Sequence, residues 1–138
     1  MKRSAKASSK KSAVMPRGRP RFPVISEEMK QWAAMLESEL KCLPGITTKL
    51  MFGFVFFYRD GTVFAAVPRT RGFDSPSSIL FKFDPMPSAL WKRAQTDQRM
   101  EVSTKASSKG WFSFELGGEE DLRDALLWLN RAYETAGR

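Results

Sequence analysis

The sequence predicts an α+β fold in which helices pack on one face of a small antiparallel sheet, preceded by a disordered basic arm. Apolar residues recur with helical spacing near both ends of the folded part, and segments rich in β-branched and aromatic residues fill its middle. Residues 1–25 contain no acid and few large apolar side chains, so they cannot bury enough surface to fold alone. The 138 residues, 42% of them hydrophobic, therefore suit an arm at 1–25 and one domain at 26–138.

A first helix is predicted from Ser26 to the Pro44-Gly45 pair. Ser26 is a good N-cap, and the two acids that follow it suit the positive end of a helix. The apolar stripe of this helix comprises Met29, Trp32, Ala33, Leu36, Leu40 and Leu43. Pro44-Gly45 ends the pattern. Cys42, the single cysteine, permits no intrachain disulfide and is expected to be a small buried thiol.

Strands are predicted through the middle of the chain from their β-branched and aromatic content. Their ranges are Thr47–Phe52, Phe54–Arg59, Thr62–Val67, Ser78–Phe83, Glu101–Thr104 and Trp111–Leu116. Asp60-Gly61 is a signal for a tight hairpin turn. Residues 68–77 are predicted to form an exposed loop, and residues 107–110 a polar turn between the last two strands.

Two further helices are predicted. Pro87 suits the first turn of a short helix that ends near Gln95. Gly117-Gly118 leads into the last helix, which has acids at its start. Its apolar face comprises Leu122, Ala125, Leu126, Leu129, Ala132 and Tyr133.

Phenylalanines are dense in the predicted strands. They are Phe52, Phe54, Phe56, Phe57, Phe64, Phe81 and Phe83. A platform on which nucleic-acid bases stack is one interpretation. Core packing is the expectation adopted, because aromatic side chains in strands ordinarily fill the core.

The residue types present argue against an enzyme. The chain has no histidine and one cysteine, which excludes Ser-His and Cys-His nucleophile pairs and a Cys/His zinc site. The carboxylate candidates are Asp60, Asp74 and Asp84, and turns and strand ends explain them better. We therefore expect no catalytic residues, no metal site and no cofactor. No apolar run is long enough to span a membrane, and no apolar segment follows the charged start as in a signal peptide, so a cytoplasmic location is expected.

A set of short motifs runs through the folded part in a consistent order. They are Met51-Phe52-Gly53, Tyr58-Arg59-Asp60-Gly61, Phe64-Ala65, Leu80-Phe81-Lys82-Phe83-Asp84, Trp111–Leu116 and Glu120-Asp121-Leu122. Over residues 30–136 the chain thereby resembles the TfoX N-terminal domain family. The resemblance implies a small α/β fold related to the N-terminal module of competence regulators, without a catalytic residue set. By analogy it suggests a role in DNA uptake or transcription regulation.

The net charge of +8 is confined to the arm. Its basic residues are Lys2, Arg3, Lys6, Lys10, Lys11, Arg17, Arg19 and Arg21. The remaining 15 basic residues are balanced by all 15 acids. A basic block of this kind is typical of an interaction arm, while the folded part has no net charge preference.

Within the arm, Pro16-Arg17-Gly18-Arg19-Pro20 resembles the AT-hook, a minor-groove binding motif. The prolines favour an extended backbone, and Gly18 lets the chain approach the floor of a narrow groove. Arg17 and Arg19 can then extend along the groove, which is narrowest and most negative in A·T-rich DNA. Contacts to phosphates are expected from the other basic residues of the arm, Lys2, Arg3, Lys6, Lys10, Lys11 and Arg21.

These patterns predict a non-enzymatic regulatory or nucleoid-associated protein that binds A·T-rich double-stranded DNA through its arm. The folded domain is expected to mediate a protein contact or self-association. Binding of another nucleic acid or an acidic partner, and a passive tail, stay open for the arm. Arg69 and Arg71 could add a second DNA-binding surface or lie in a solvated loop. The alternative function is a small-molecule or protein-binding module with an incidental basic tail.

Overall fold

The structure, a computed structural model, describes residues 22–73, 75–83, 86–103 and 110–137. Its helices are α1 (Glu27–Lys41), α2 (Ser88–Thr96) and α3 (Leu122–Ala136), with a single 3₁₀ turn at Glu119–Asp121 before α3. Its strands are β1 (Ile46–Met51), β2 (Phe54–Arg59), β3 (Thr62–Pro68), β4 (Ser78–Lys82), β5 (Met100–Val102) and β6 (Trp111–Glu115).

The strands form one six-stranded sheet in the order β1-β2-β3-β4-β6-β5. Every neighbouring pair is antiparallel. The helices α1 and α3 pack against each other and against β3, and α2 packs beside β5. All three helices contribute to one core cluster on the same face of the sheet. The predicted α+β architecture is therefore confirmed.

Helix α1 begins and faces the core as its sequence predicts. The Ser26 hydroxyl oxygen accepts a hydrogen bond from the Met29 backbone N–H at 3.0 Å, which satisfies one of the unpaired amides of the first turn. The expectation for Cys42 is wrong, because its side chain is exposed. Two residues after Leu40, it is turned about 200° around the helix axis from that buried leucine.

The sheet separates two apolar clusters. The larger one lies between the sheet and the helices and includes Phe57, Phe81 and Leu129, each fully buried. The smaller one is built on Ala66, Leu80 and Trp111. Because strand side chains alternate between faces, these three lie on the face that the helices leave open. Phe56, Val63 and Phe73 are partly buried against them.

The phenylalanines are mainly core residues, as predicted, with one exception. The fully buried ones among those predicted are Phe54, Phe57, Phe64, Phe81 and Phe83. Phe56 is half-buried on the open face. For Phe52 the core prediction is wrong, since its side chain is 66% exposed. It lies in the turn between β1 and β2, beyond the pairing of Met51 with Phe54, where no layer covers it.

Residues 22–25, which the sequence assigns to the arm, pack against the domain as a short strap. Ile25 is buried in the main core. Val24 forms an antiparallel bridge with Arg71, and the Ile25 N–H donates to the Thr70 carbonyl at 3.3 Å. The described chain therefore starts along the loop that joins β3 to β4.

Candidate nucleic-acid interface

The residues predicted to bind DNA lie outside the described residues. They are Lys10, Lys11, Arg17, Gly18, Arg19, Pro20 and Arg21. The structure does place the point at which this segment joins the domain, at Phe22. An extended chain spans about 3.5 Å per residue, so Arg19 can reach no farther than about 11 Å from Phe22 and Arg17 no farther than about 18 Å. A DNA segment bound by Arg17 and Arg19 would therefore lie near this junction.

The junction is firmly held. The Phe22 ring lies 5.1 Å from both Phe54 and Phe73, measured between ring centroids. The Arg71 Nη1 donates a hydrogen bond to the Phe22 carbonyl at 3.0 Å. The Gly72 N–H donates to the Pro23 carbonyl at 2.8 Å. The arm therefore originates from an ordered point on the open side of the sheet.

Beside the junction lies the turn between β1 and β2. Its two central residues, Phe52 and Gly53, have φ values of 57° and 86°, the signs that a type I′ hairpin turn requires. The Gly53 carbonyl accepts hydrogen bonds from the backbone N–H groups of Arg69 at 2.8 Å and Thr70 at 3.0 Å. A Cβ on Gly53 would lie 2.7 Å from Thr70 Oγ1 and 2.8 Å from Arg71 Cγ. Glycine is thus required here for its positive φ and for the close approach of the loop.

We call residues 52–53 and 69–71 the hairpin–loop surface. Its charge is positive. Arg69 pairs with Glu37 at 2.9 Å, and Lys41 pairs with the same carboxylate at 2.8 Å, so one acid is shared between two bases. Arg71 adds a further positive charge. Its hydrogen bond to the Phe22 carbonyl joins the hairpin–loop surface to the strap.

Exposed apolar side chains accompany these charges. Phe52 is 66% exposed, Leu50 is 60% exposed and Val24 is 65% exposed. Val24 pairs with Arg71, and the turn that contains Phe52 is hydrogen-bonded to Arg69 and Thr70. Leu50 lies in β1, two residues before Phe52. Basic side chains interleaved with exposed apolar ones are typical of nucleic-acid interfaces.

A second candidate site is a cleft of about 560 Å³ between α2 and α3. Its walls include Arg93, Leu127, Trp128 and Arg131. Neither Arg93 nor Arg131 has an ion-pair partner among the residues that the structure describes. Their guanidinium groups are therefore available to a bound anion.

The floor of the cleft is an ionic cluster centred on Arg99. Its guanidinium group donates two hydrogen bonds to Asp97, at 2.9 and 2.8 Å. It also donates to Asp121 at 2.7 Å and to Asp124 at 3.1 Å. The face of the guanidinium lies 4.7 Å from the centre of the Phe114 ring. This arrangement links the start of α3 to the segment before β5.

The cluster shifts the protonation equilibria of its members. The hydrogen bond from Arg99 lowers the pKa of Asp97. Burial opposes ionisation of Asp121, but hydrogen bonds from the Gly117 N–H and from Arg99 outweigh it and lower the pKa of that carboxyl. The hydrogen bond to Asp97 raises the pKa of Arg99 further above its ordinary value. These shifts keep Asp97, Asp121 and Arg99 charged near neutral pH, which suits a structural clasp and not acid–base catalysis.

Of the three carboxylates considered for catalysis, the described residues include Asp60. Asp60 lies in the turn between β2 and β3 with a φ of 48°, while Asp74 and Asp84 lie outside the described residues. Among the described residues, no group of three His, Cys, Asp or Glu side chains could hold a metal ion. Across the same part of the chain, no helix is long and apolar enough to cross a membrane.

Sequence reasoning named Arg69 and Arg71 but missed Phe52 as a surface residue. The available signal was the Phe-Gly pair between two strand-like segments, where a two-residue turn ordinarily carries Asn-Gly or Asp-Gly. The Arg99 cluster gave no such signal, because Asp121 and Asp124 meet Arg99 only through the packing of α3.

The chain matches no family model, no curated protein and no solved structure, so its resemblance to the TfoX N-terminal domain family stays a prediction from the motifs.

Proposed function

We propose that the protein is a non-enzymatic, DNA-associated regulatory or nucleoid-type protein whose arm binds the minor groove of A·T-rich DNA. The observation that carries this proposal is the charge segregation. The net charge of +8 lies wholly within residues 1–25, which include the hook-like Pro16–Pro20 sequence, while the rest of the chain is neutral. A role in transcription regulation or competence, and a location at the nucleoid, follow only if DNA is the partner.

The anchored junction supports this function. A short hook binds weakly, on the order of micromolar near physiological salt, unless a second contact is held close to it. Because Phe22 is packed against Phe54 and Phe73, the domain stays within a few residues of any DNA bound by Arg17 and Arg19. The folded part can therefore add contacts to that DNA or present its own partner there.

The test is a fluorescence-anisotropy titration of A·T-rich and G·C-rich duplexes at two salt concentrations. We expect the full chain to prefer the A·T-rich duplex. Arg17→Ala combined with Arg19→Ala should abolish the preference and leave weak, salt-sensitive binding. If the preference survives in the double variant, the hook assignment is wrong.

The matched control is a chain that begins at Phe22. It keeps the strap, whose Ile25 is part of the core, whereas a chain that begins at Ser26 would lose that core residue. We expect the chain from Phe22 to fold and to lose A·T-selective binding. Equal binding by this shorter chain would show that the domain, and not the arm, binds the DNA.

The cleft between α2 and α3 favours a second candidate function, the binding of a small acidic ligand. Its volume of about 560 Å³ supports this alternative, as do Arg93 and Arg131, which form no ion pair with any residue in the described part of the chain. A ligand that occupies it would raise the melting temperature of the full chain. On this view the basic arm would be incidental.

A further inference from the structure

The two-residue turns that join β1 to β2 and β2 to β3 have similar φ values but different side chains at their first position. Phe52-Gly53 has φ values of 57° and 86°, and Asp60-Gly61 has values of 48° and 87°. Positive φ at the first position favours Asn, Asp or Gly, and it is a marked outlier for a bulky side chain. Asp60 satisfies the preference, while Phe52 violates it.

Packing of the Phe52 side chain does not compensate for its unfavourable positive φ. The side chain is 66% exposed and belongs to neither apolar cluster. Burial of the Phe52 side chain therefore does not offset the free-energy cost of its backbone strain. Such outliers concentrate where a protein contacts a ligand or partner.

The residues around Phe52 indicate what kind of partner it contacts. Its turn is hydrogen-bonded to the loop that carries Arg69 and Arg71, and Arg71 also donates to the carbonyl of Phe22, where the basic segment joins the domain. The positive charge of this surface complements a phosphate backbone. Proteins that insert arginine into the minor groove frequently add an apolar wedge that enters a base step beside it.

We infer that the hairpin–loop surface is a second DNA contact, in which Phe52 wedges into a base step next to the arm while Arg69 and Arg71 contact the flanking phosphates. This inference rests on the DNA binding proposed above for the arm. The favoured target is an A·T-rich duplex containing a TA step, because pyrimidine–purine steps unstack most easily. The hook alone would favour a stiff A-tract, whose minor groove is narrower.

The test uses the full chain and Phe52→Asn, a change that supplies a residue favoured at positive φ. Asn should raise the melting temperature by a few degrees and weaken binding to the duplex with a TA step by about tenfold, the order expected for loss of one base–aromatic stack. A 2-aminopurine placed at the TA step should brighten when the wild type unstacks it and stay dim with Phe52→Asn. Phe52→Trp should keep the brightening.

The matched control is Val102→Thr, which alters a side chain that is 54% exposed on the opposite edge strand. It should change neither affinity nor 2-aminopurine fluorescence. Equal affinity and equal fluorescence for the wild type and Phe52→Asn would overturn the wedge, while loss of A·T preference in Arg17→Ala/Arg19→Ala would still support the arm. Failure of the wild type to bind A·T-rich DNA selectively would overturn both.

Discussion

Single residues in this protein differ in whether they stabilise or destabilise the fold. Arg99 stabilises it, because one guanidinium group pairs with three carboxylates from two parts of the chain. Phe52 destabilises it, because a bulky side chain at positive φ costs on the order of 1 kcal/mol or more. Both lie at surfaces, so exposure alone does not separate a structural residue from a candidate contact residue.

Replacement of Arg99 by Gln should destabilise the fold by about 2 kcal/mol, because charge-assisted hydrogen bonds are lost and three acids are left facing one another. Folding lowers the pKa values of Asp97 and Asp121. Their contribution to stability is therefore present above the unfolded value of about 3.9 and is lost as the pH falls through the folded values.

Chemical denaturation of the wild type and Arg99→Gln at several pH values checks this prediction. The difference in unfolding free energy should be full near pH 7 and shrink below about pH 4. Arg93→Gln is the control, since it changes a neighbouring cleft arginine that has no ion pair among the described residues. A difference that does not vary with pH would contradict an ionic role for Arg99.

At the scale of elements, the C-terminal part of α3 is hydrogen-bonded to the connection before β1 and to the end of β2. The Tyr133 hydroxyl donates to the Pro44 carbonyl at 2.6 Å, in the connection between α1 and β1. Arg59, at the end of β2, donates to the Tyr133 carbonyl at 2.9 Å and lies 4.1 Å from the centre of its ring. A cation at the carboxyl end of a helix is favourable, so α3 is held at that end by side chain and backbone together.

Tyr133→Phe removes only the hydroxyl and should lower the unfolding free energy by about 1 kcal/mol, the typical net value of one hydrogen bond. Pro44 is an exposed residue, so water that binds its carbonyl in the variant would limit the loss. Tyr58→Phe, in β2, is the control and should have a smaller effect. Thermal denaturation followed by circular dichroism measures both, and equal melting temperatures for all three proteins would show that the hydrogen bond to the Pro44 carbonyl contributes nothing.

Much of the element order could be predicted because it depends on local patterns. The stripe in α1, the cap at Ser26 and the Asp60-Gly61 turn are all confirmed. The prediction that Cys42 is buried is wrong, because its angular position on the helix, and not its hydrophobic character, sets its exposure. The core assignment of Phe52 failed for a related reason: strand composition does not reveal where the hairpin reverses.

At the scale of the whole molecule, a neutral domain carries a concentrated positive charge at one end of its chain. Electrostatic binding to DNA releases counterions, so the logarithm of affinity should fall linearly with the logarithm of salt concentration, with a slope of about −0.9 per phosphate neutralised. Substitution of different arm residues can then distinguish phosphate contacts, which set the salt slope, from groove contacts, which set the sequence preference.

Lys10→Ala with Lys11→Ala should reduce the magnitude of the salt slope by about 2 and leave the A·T preference intact, because phosphate contacts carry no sequence information. Arg17→Ala with Arg19→Ala removes the same number of charges and should abolish the preference. Anisotropy titrations at four salt concentrations give both quantities. Identical behaviour of the two double variants would mean that the arm binds DNA as an unspecific polycation.

The sequence by itself determined the elements, their order, the α+β class and the location of the net charge, because these depend on residues close together in the chain. Tertiary structure alone decided that the arm joins the domain beside Phe54 and Phe73, that the loop at Arg69 to Arg71 is hydrogen-bonded to the Phe52-Gly53 turn, and that Arg99 meets Asp121 and Asp124. Each of these joins residues separated along the chain, and contacts of that kind follow from how the helices and strands pack and not from any local pattern.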